Sequence, residues 1–252
     1  MKKIPNSKNC PVCNGQTKYI DVVDFNKSCE EIRGKFLPLS GVPIYYTQCQ
    51  DCLFTFAPEF LAWSESDFLE KIYNDKYIEI DPDYLENRPR ANSRLLTQIF
   101  GDKKEFISHL DYGGGSGKLS STLRSEGWLS KSYDPFPKSD VTVESLGKFN
   151  LISAFEVFEH VPDVNSLMHN LIALMSENCF IIFSTLTLEG HISKNSRITW
   201  WYASPRNGHI SLFTKKSLSI IASKHGLNFG SFNDGLHCFF NQAPNWSRHL
   251  IK

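Results

Sequence analysis

Two cysteine pairs of identical spacing, Cys10-Pro11-Val12-Cys13 and Cys49-Gln50-Asp51-Cys52, are the residues of this sequence with the plainest chemistry. A Cys-x2-Cys turn offers two thiolates on one side of the chain, and two such turns make up the tetrahedral set that zinc takes. Disulfides are disfavoured, since the cysteine count of seven is odd and nothing points to export. The 35 residues between the pairs are more than a compact ribbon has, which implies an insertion around Cys29–Leu39. A four-thiolate site has no open position, so Cys10, Cys13, Cys49 and Cys52 are expected to hold structural Zn2+ and to do no chemistry. Cys29, Cys179 and Cys238 lack paired spacing, and the last two lie in apolar runs that read as core.

The second chemical segment is His109-Leu110-Asp111-Tyr112-Gly113-Gly114-Gly115-Ser116-Gly117-Lys118-Leu119. It follows a predicted strand and opens a predicted helix, where a glycine turn brings backbone N–H groups against a ligand. A phosphate loop needs Gly-x4-Gly-Lys-Ser/Thr. Here the first position is Tyr112 and the last is Leu119, so a magnesium ion would lose its hydroxyl ligand. A dinucleotide turn needs Gly-x-Gly-x-x-Gly, and the third glycine falls on Lys118 or on Ser120, depending on the start.

What remains, Asp111-x-Gly113-x-Gly115-x-Gly117, resembles the first motif of class I S-adenosylmethionine methyltransferases. The resemblance implies that the loop passes under the methionine part of the cofactor and that Asp111 helps to hold that zwitterion. It also implies an acidic residue at the end of the next strand that accepts both ribose hydroxyls. Asp134, in Ser132-Tyr133-Asp134-Pro135-Phe136, stands at that place, and a carboxylate can accept two hydrogen bonds from a diol. Asn150-Leu151-Ile152-Ser153-Ala154-Phe155-Glu156-Val157-Phe158-Glu159-His160-Val161-Pro162-Asp163 looks like the fourth strand and following turn of the same family, which makes Phe155 and Glu156 candidate cofactor contacts. Pro205-Arg206-Asn207-Gly208-His209-Ile210-Ser211-Leu212-Phe213-Thr214 is similar to the loop after its fifth strand. The bland alternative is a tight glycine turn with Asp134 capping a loop.

An N-terminal ribbon before such a domain resembles the C-methyltransferases of nucleotide-linked deoxysugars and shorter bacterial relatives of surface-polysaccharide biosynthesis. This chain lacks the further C-terminal domain of the former, which favours transfer to oxygen. The acceptor expected is a hydroxyl of a small polar molecule, anionic or sugar-like.

Open α/β sheets bind ligands beyond the carboxyl ends of their strands. Two histidines fall there by this reading, His160 and His209, and an imidazole can take a hydroxyl proton near neutral pH. Glu156 is placed to contact the methionine part or to orient a histidine. Trp200-Trp201-Tyr202 is read as lining the acceptor side or as core. The competing reading has Glu159 and His160 capping the next helix and His209 fixing its loop.

These residues need elements to position them. Residues 1–60 carry short β-type runs, Thr17–Val23 and Ile44–Gln48. Residues 61–100 read as helical: Ser64-Glu65-Ser66-Asp67 forms a capping box, a second helix runs from near Pro89 to Gly101, and Asp81–Tyr84 makes a turn between them. From residue 101 the strand runs Phe106–Tyr112, Leu129–Tyr133, Asn150–Phe155 and Cys179–Thr185 alternate with the helical runs Lys118–Glu126 and Val164–Met175. A helix over Ser217–His225 and two closely spaced strands, Leu227–Phe232 and Leu236–Asn241, follow. That order predicts an α/β Rossmann-like methyltransferase sheet, mostly parallel with an antiparallel edge hairpin, behind a small zinc ribbon.

Charge is balanced at 27 basic and 27 acidic residues. Residues 201–252, with six Lys/Arg against Asp234 alone, suit an anionic small substrate, a nucleic acid or a solvated helix face. Residues 1–60 hold seven basic and six acidic groups, which speaks against phosphate tracking by the ribbon. An rRNA base methyltransferase with a zinc-ribbon RNA contact, and a module that binds S-adenosylmethionine and zinc without catalysis, are the two alternatives. No apolar run reaches the ~18 residues that span a bilayer. Met1-Lys2-Lys3-Ile4-Pro5-Asn6 lacks the apolar core of a secretory leader, so the expected compartment is the cytoplasm.

Overall fold

The computed structural model of the chain describes residues 9–136, 141–192 and 196–251; Met1–Asn6, read above for a leader, lies outside them. Its packing divides into two units made of non-consecutive segments. One comprises Met1–Asp81, Glu159–Asn165 and Leu186–Ile221; the other comprises Pro82–Phe158, Ser166–Thr185 and Ala222–Lys252.

In the first unit, β1 (Thr17–Asp24) and β2 (Pro43–Cys49) form an antiparallel pair with a register shift between Tyr19 and Asp21. Asp24 closes the insertion after β1: its Oδ1 accepts from the Asn26 and Ser40 amides and its Oδ2 from the Gly41 amide at 2.8 Å. A two-residue strand, β3 (Thr55–Phe56), continues the sheet. The fourth strand arrives from far along the chain, β8 (Ser211–Leu212), giving the order β1-β2-β3-β8. Helix α1 (Glu65–Lys71) begins at the expected capping box, where the Asp67 amide donates to Ser64 Oγ and the Ser64 amide donates to Asp67 Oδ2. A one-turn helix, α2 (Tyr77–Ile80), follows.

The second unit holds a six-stranded sheet. Its strands are β4 (Ser108–Tyr112), β5 (Leu129–Tyr133), β6 (Phe149–Phe155), β7 (Met175–Ser184), β9 (Asn228–Ser231) and β10 (Leu236–Phe240), in the order β5-β4-β6-β7-β10-β9. The first four are parallel and β10 runs antiparallel to both its neighbours. Helices α3 (Asn87–Phe100) and α4 (Lys118–Ser125) belong to this unit, and α5 (Val164–Leu174) and α6 (Lys215–Lys224) complete the strand–helix alternation. Because strand side chains alternate between faces, Phe180, Ile182 and Cys238 enter one core cluster with Leu96, Phe100 and Leu123. Phe183 and Phe239 point the other way, where Phe158 stacks on Phe183 with ring centroids 4.3 Å apart. Cys179 and Cys238 are both buried, and burial pushes both thiols up to about 12.

Several element ends shift by one or two residues from expectation, and two boundaries show a physical reason. Phe106 ends a 3-10 turn (Gly101–Phe106) instead of opening β4, and it is 68% exposed. Strand β7 starts at Met175, four residues early. Its first pair is Met175 with Phe149, and the polar run Ser176-Glu177-Asn178 hid it from a reading based on apolar residues.

Candidate functional site

The glycine turn leaves β4 and enters α4. Gly113, Gly115 and Gly117 have φ of 73°, 51° and 73°, the left-handed region that other residues enter only with strain. A Cβ on Gly113 would stand 2.5 Å from Val157 Cγ2. Gly114, which the motif treats as variable, is equally constrained: a Cβ there would fall 2.3 Å from Ser132 Oγ and 2.4 Å from Asp111 Oδ2. At Gly115 the same atom would meet only Asp134 Oδ2, at 3.9 Å. The turn is therefore pressed into the protein at its start and open in its middle.

The two acidic residues take different places. Asp134 lies just past β5, where its Oδ2 accepts from the Gly115 amide at 2.7 Å and its Oδ1 from the Phe136 amide at 2.8 Å. Each oxygen keeps a second lone pair. Asp111 is 4% exposed and its Oδ1 accepts from Ser153 Oγ at 2.8 Å. Burial pushes its carboxyl up to about 7, with the Asp134 charge adding to the shift, and burial also raises Asp134. Behind Asp111 the chain of contacts continues through Ser153 to His109 Nε2 at 3.0 Å and from His109 Nδ1 to Ser130 Oγ at 2.7 Å. Burial takes His109 down to about 3. Phe155, at the end of β6, is buried. Glu156 has φ 54°, its amide donates to Ser184 Oγ, and its Oε1 accepts from that hydroxyl at 2.8 Å. The expected role of Glu156 in orienting a histidine is not what its contacts give, since a serine across the β6–β7 pair holds its carboxylate. An open glycine turn backed by two carboxylates fits a ligand that brings a cationic amine and a diol. A cavity of about 940 Å³ near Asn150, Trp246 and Arg248 lies by the amino ends of the strands, away from this turn.

In the other unit the two nominated histidines meet. The rings of His160 and His209 are 4.8 Å apart, and Glu159, His160 and His209 present ligand-capable atoms within 4.8 Å of one another, enough to hold a cation or pass a proton. His209 Nδ1 lies 2.9 Å from the Tyr202 carbonyl, which can only accept. Nδ1 thus carries a proton, and in the neutral ring Nε2 holds the lone pair. Glu159 is fully buried and its Oε1 accepts from the Tyr202 hydroxyl at 2.6 Å. His160 is half-buried, with Nδ1 3.1 Å from the Tyr73 hydroxyl. Cys29 Sγ approaches His209 Nδ1 at 3.7 Å and Ser204 Oγ at 3.3 Å. Trp200 is buried and stacks on His191 at 4.6 Å, while Tyr202 lies against His209. Sequence places Glu159 beside His160 and Tyr202 in the aromatic stretch read as acceptor side or core. Tyr73 has no such signal, and only tertiary contact brings it to the cluster.

The four paired cysteines also converge. Sulfur separations are 3.3 Å for Cys13–Cys49, 3.5 Å for Cys13–Cys52 and 3.6 Å for Cys10–Cys52, against about 3.8 Å along the edge of a zinc–thiolate tetrahedron. The two turns share a backbone: Cys10 N donates to Gly15 O and Cys49 N to Phe54 O, both at 2.9 Å. The residues after each second cysteine, Asn14 and Leu53, both have φ 61°. The Cys10 thiol is drawn down to about 5 by Cys52, whose own thiol is driven up by the same contact. Such crowding of sulfurs fits a site shaped for a cation.

Residues 84–230 match the family model described as a methyltransferase domain. More than half of the chain is covered, and the chain belongs to this family: it carries a methyltransferase domain of the S-adenosylmethionine-dependent kind. Among curated proteins it is 25% identical over 92 residues to the ubiquinone biosynthesis O-methyltransferase of Bordetella avium (strain 197N), a match spanning 36% of this chain and 38% of that one. The chain therefore covers well under half the length of that relative. Among solved structures it is similar to the Burkholderia thailandensis 1,6-didemethyltoxoflavin-N1-methyltransferase, solved with 1,6-didemethyltoxoflavin and S-adenosylhomocysteine. The TM-score is 0.50 and the identity 14%, over 77% of this chain and 98% of that one. The likeness is one of fold. Among the described residues, no helix is long and apolar enough to cross a membrane.

Proposed function

We propose that the protein transfers a methyl group from S-adenosylmethionine to a hydroxyl of a small polar acceptor, a sugar or a phosphorylated or nucleotide-linked metabolite of surface-polysaccharide biosynthesis. The observation that carries this reading is the pairing of His160 with His209, rings 4.8 Å apart, in one cluster with Glu159. The cofactor supplies an activated methyl on a sulfonium. The chain's part is to hold the acceptor in line and to take its proton. His209, fixed by Tyr202 with its lone pair on Nε2, and His160, the more exposed of the two, are the groups to receive it.

On the cofactor side we assign the ribose hydroxyls to Asp134, the methionine end to Asp111 and Glu156, the close approach to Gly113, Gly115 and Gly117, and an apolar contact to Phe155. We assign structural Zn2+ to Cys10, Cys13, Cys49 and Cys52, in a ribbon over residues 1–60 ahead of a helical segment to residue 100 and the methyltransferase domain. We place the protein in the cytoplasm, where free thiols persist and can serve as zinc ligands.

A second acceptor class, a phenolic hydroxyl, is favoured by the aromatic rings at the cluster, Tyr73 and Tyr202, and the name of the Bordetella relative, an O-methyltransferase, agrees with transfer to oxygen in either class. The deciding experiment measures S-adenosylhomocysteine release with nucleotide sugars, phosphosugars, catechols and rRNA as acceptors. Turnover confined to catechols or to rRNA would overturn the sugar reading, and cofactor binding without turnover on any acceptor would leave a binding module.

A further inference from the structure

The loop that carries His209 also carries a buried arginine. Arg206 is 8% exposed, in the 3-10 turn Pro205–Asn207 that ends at Gly208. Its Nη1 donates to the Ile72 carbonyl at 3.1 Å, and its amide donates to the Lys27 carbonyl at 3.2 Å. Ile72 adjoins Tyr73, whose hydroxyl meets His160, so the guanidinium is fastened to the same segment that contacts the histidine cluster.

A guanidinium carries five N–H donors, and among the described residues this one makes a single side-chain hydrogen bond. No ion pair among the described residues includes it. The neighbour whose charge bears on Arg206 is the Tyr77 phenol, and that hydroxyl donates to the Asn207 carbonyl at 3.2 Å. Burial accordingly lowers the affinity of Arg206 for its proton. None of its nitrogens is an enclosed atom without a partner, so the donors that Ile72 does not use keep some contact with solvent.

Taking a guanidinium out of water without a counter-charge is unfavourable unless an anion completes the pair. The planar fork matches the two oxygens of a phosphate or carboxylate, which a point charge does not. A purely structural tie to Ile72 O would be met by a neutral amide and would not require a charge.

We propose that Arg206 binds an oxyanion, the phosphate or carboxylate group of the methyl acceptor, in the unit that holds His160 and His209. The inference rests on the reading of those histidines as the acceptor side. It narrows the acceptor to one that carries an anionic group.

The test uses the full chain and two probes, inorganic phosphate and acetate, titrated calorimetrically into wild type, Arg206→Lys and Arg206→Gln, with S-adenosylhomocysteine titrated into the same preparations. Wild type is expected to bind one probe per chain. Arg206→Gln should weaken that binding at least tenfold and Arg206→Lys a few-fold, with S-adenosylhomocysteine affinity unchanged. Preference for phosphate marks a phosphorylated acceptor, and preference for acetate a carboxylated one. No binding of either probe by wild type, or equal binding by Arg206→Gln, overturns the proposal. Should Arg206→Gln not fold, 15N-arginine-labelled wild type decides: the Arg206 Nε–Hε resonance must move on phosphate addition, and a stationary one overturns the proposal. Failure of wild type to bind S-adenosylhomocysteine would strike the methyltransferase reading and leave the anion site standing.

Discussion

Asp134 Oδ2 accepts a hydrogen bond from the Gly115 amide at 2.7 Å, so the carboxylate past β5 also braces the middle of the glycine turn. One residue then serves both the loop's shape and the proposed ribose contact. Asp134→Ala should lower S-adenosylhomocysteine affinity some thirty- to hundred-fold, about 2–3 kcal/mol, by calorimetry. Asp134→Asn keeps an acceptor for the Gly115 amide and should lose less. Unchanged affinity in Asp134→Ala would remove Asp134 from the cofactor site.

Gly113 offers a prediction about stability. A Cβ there would stand 2.5 Å from Val157 Cγ2, at a φ of 73°. The backbone strain costs about 1–2 kcal/mol and the overlap about 1–3 kcal/mol. Gly113→Ala should therefore lose about 2–5 kcal/mol in urea denaturation. In a Val157→Ala background the same change should cost only the backbone part. An equal cost in both backgrounds would mean that Val157 is not the obstacle.

The sequence was most legible where periodicity or spacing is local. The alternating run from β4 to β10, the Ser64–Asp67 capping box and the matched cysteine turns all follow from neighbours within a few residues. Strand β8 did not emerge, because two residues, Ser211 and Leu212, carry no period, and their partner Thr55–Phe56 is equally short. Gly114 was passed over because a motif of alternate glycines ranks by φ, whereas the limit at this position is the space left by Ser132 and Asp111. Tyr73 joins His160, and the Glu159–His160 and Tyr202–His209 pairs join each other, only through contacts between distant segments, for which the chain has no local signal.

The cysteine cluster predicts one zinc per chain when the protein is purified without added metal. Cys49→Ser, or chelation of wild type, should remove it and cost more than about 3 kcal/mol, roughly 6–12 °C in melting temperature. A folded, metal-free protein of unchanged stability would reject the site.

Acid stability should expose the buried pair His109 and Asp111. Burial holds His109 at about 3 in the fold, below its ordinary value, so the unfolded chain binds the extra proton; stability present above about pH 6.5 is lost as pH falls toward 3. Asp111 is raised to about 7, so its contribution is present below about pH 4 and lost as pH rises through 7. The two slopes oppose each other in wild type. Asp111→Asn removes the second, and its stability should fall between pH 6.5 and 4 by up to about 3 kcal/mol more than that of wild type. Denaturant melts across that range read the difference directly, and parallel pH profiles would show that the two groups do not oppose each other.

The proton-transfer assignment is tested by His160→Ala and His209→Ala on whichever acceptor gives turnover. A general base contributes about 10²–10⁴-fold to turnover, and neither residue is assigned to the cofactor, so S-adenosylhomocysteine affinity should stay near wild type in both variants. The two histidines are held differently, which separates them further. His209 is fixed by the Tyr202 carbonyl, so Tyr202→Phe, which keeps that carbonyl and removes only the hydroxyl to Glu159, should alter turnover modestly. His160 is held by the Tyr73 hydroxyl, so Tyr73→Phe should impair turnover if His160 is the base and leave it near normal if His209 is. A large loss in His209→Ala beside a normal Tyr73→Phe assigns the proton to His209, and the converse pair assigns it to His160. Near-normal turnover in both alanine variants would leave alignment of the acceptor as the source of the rate.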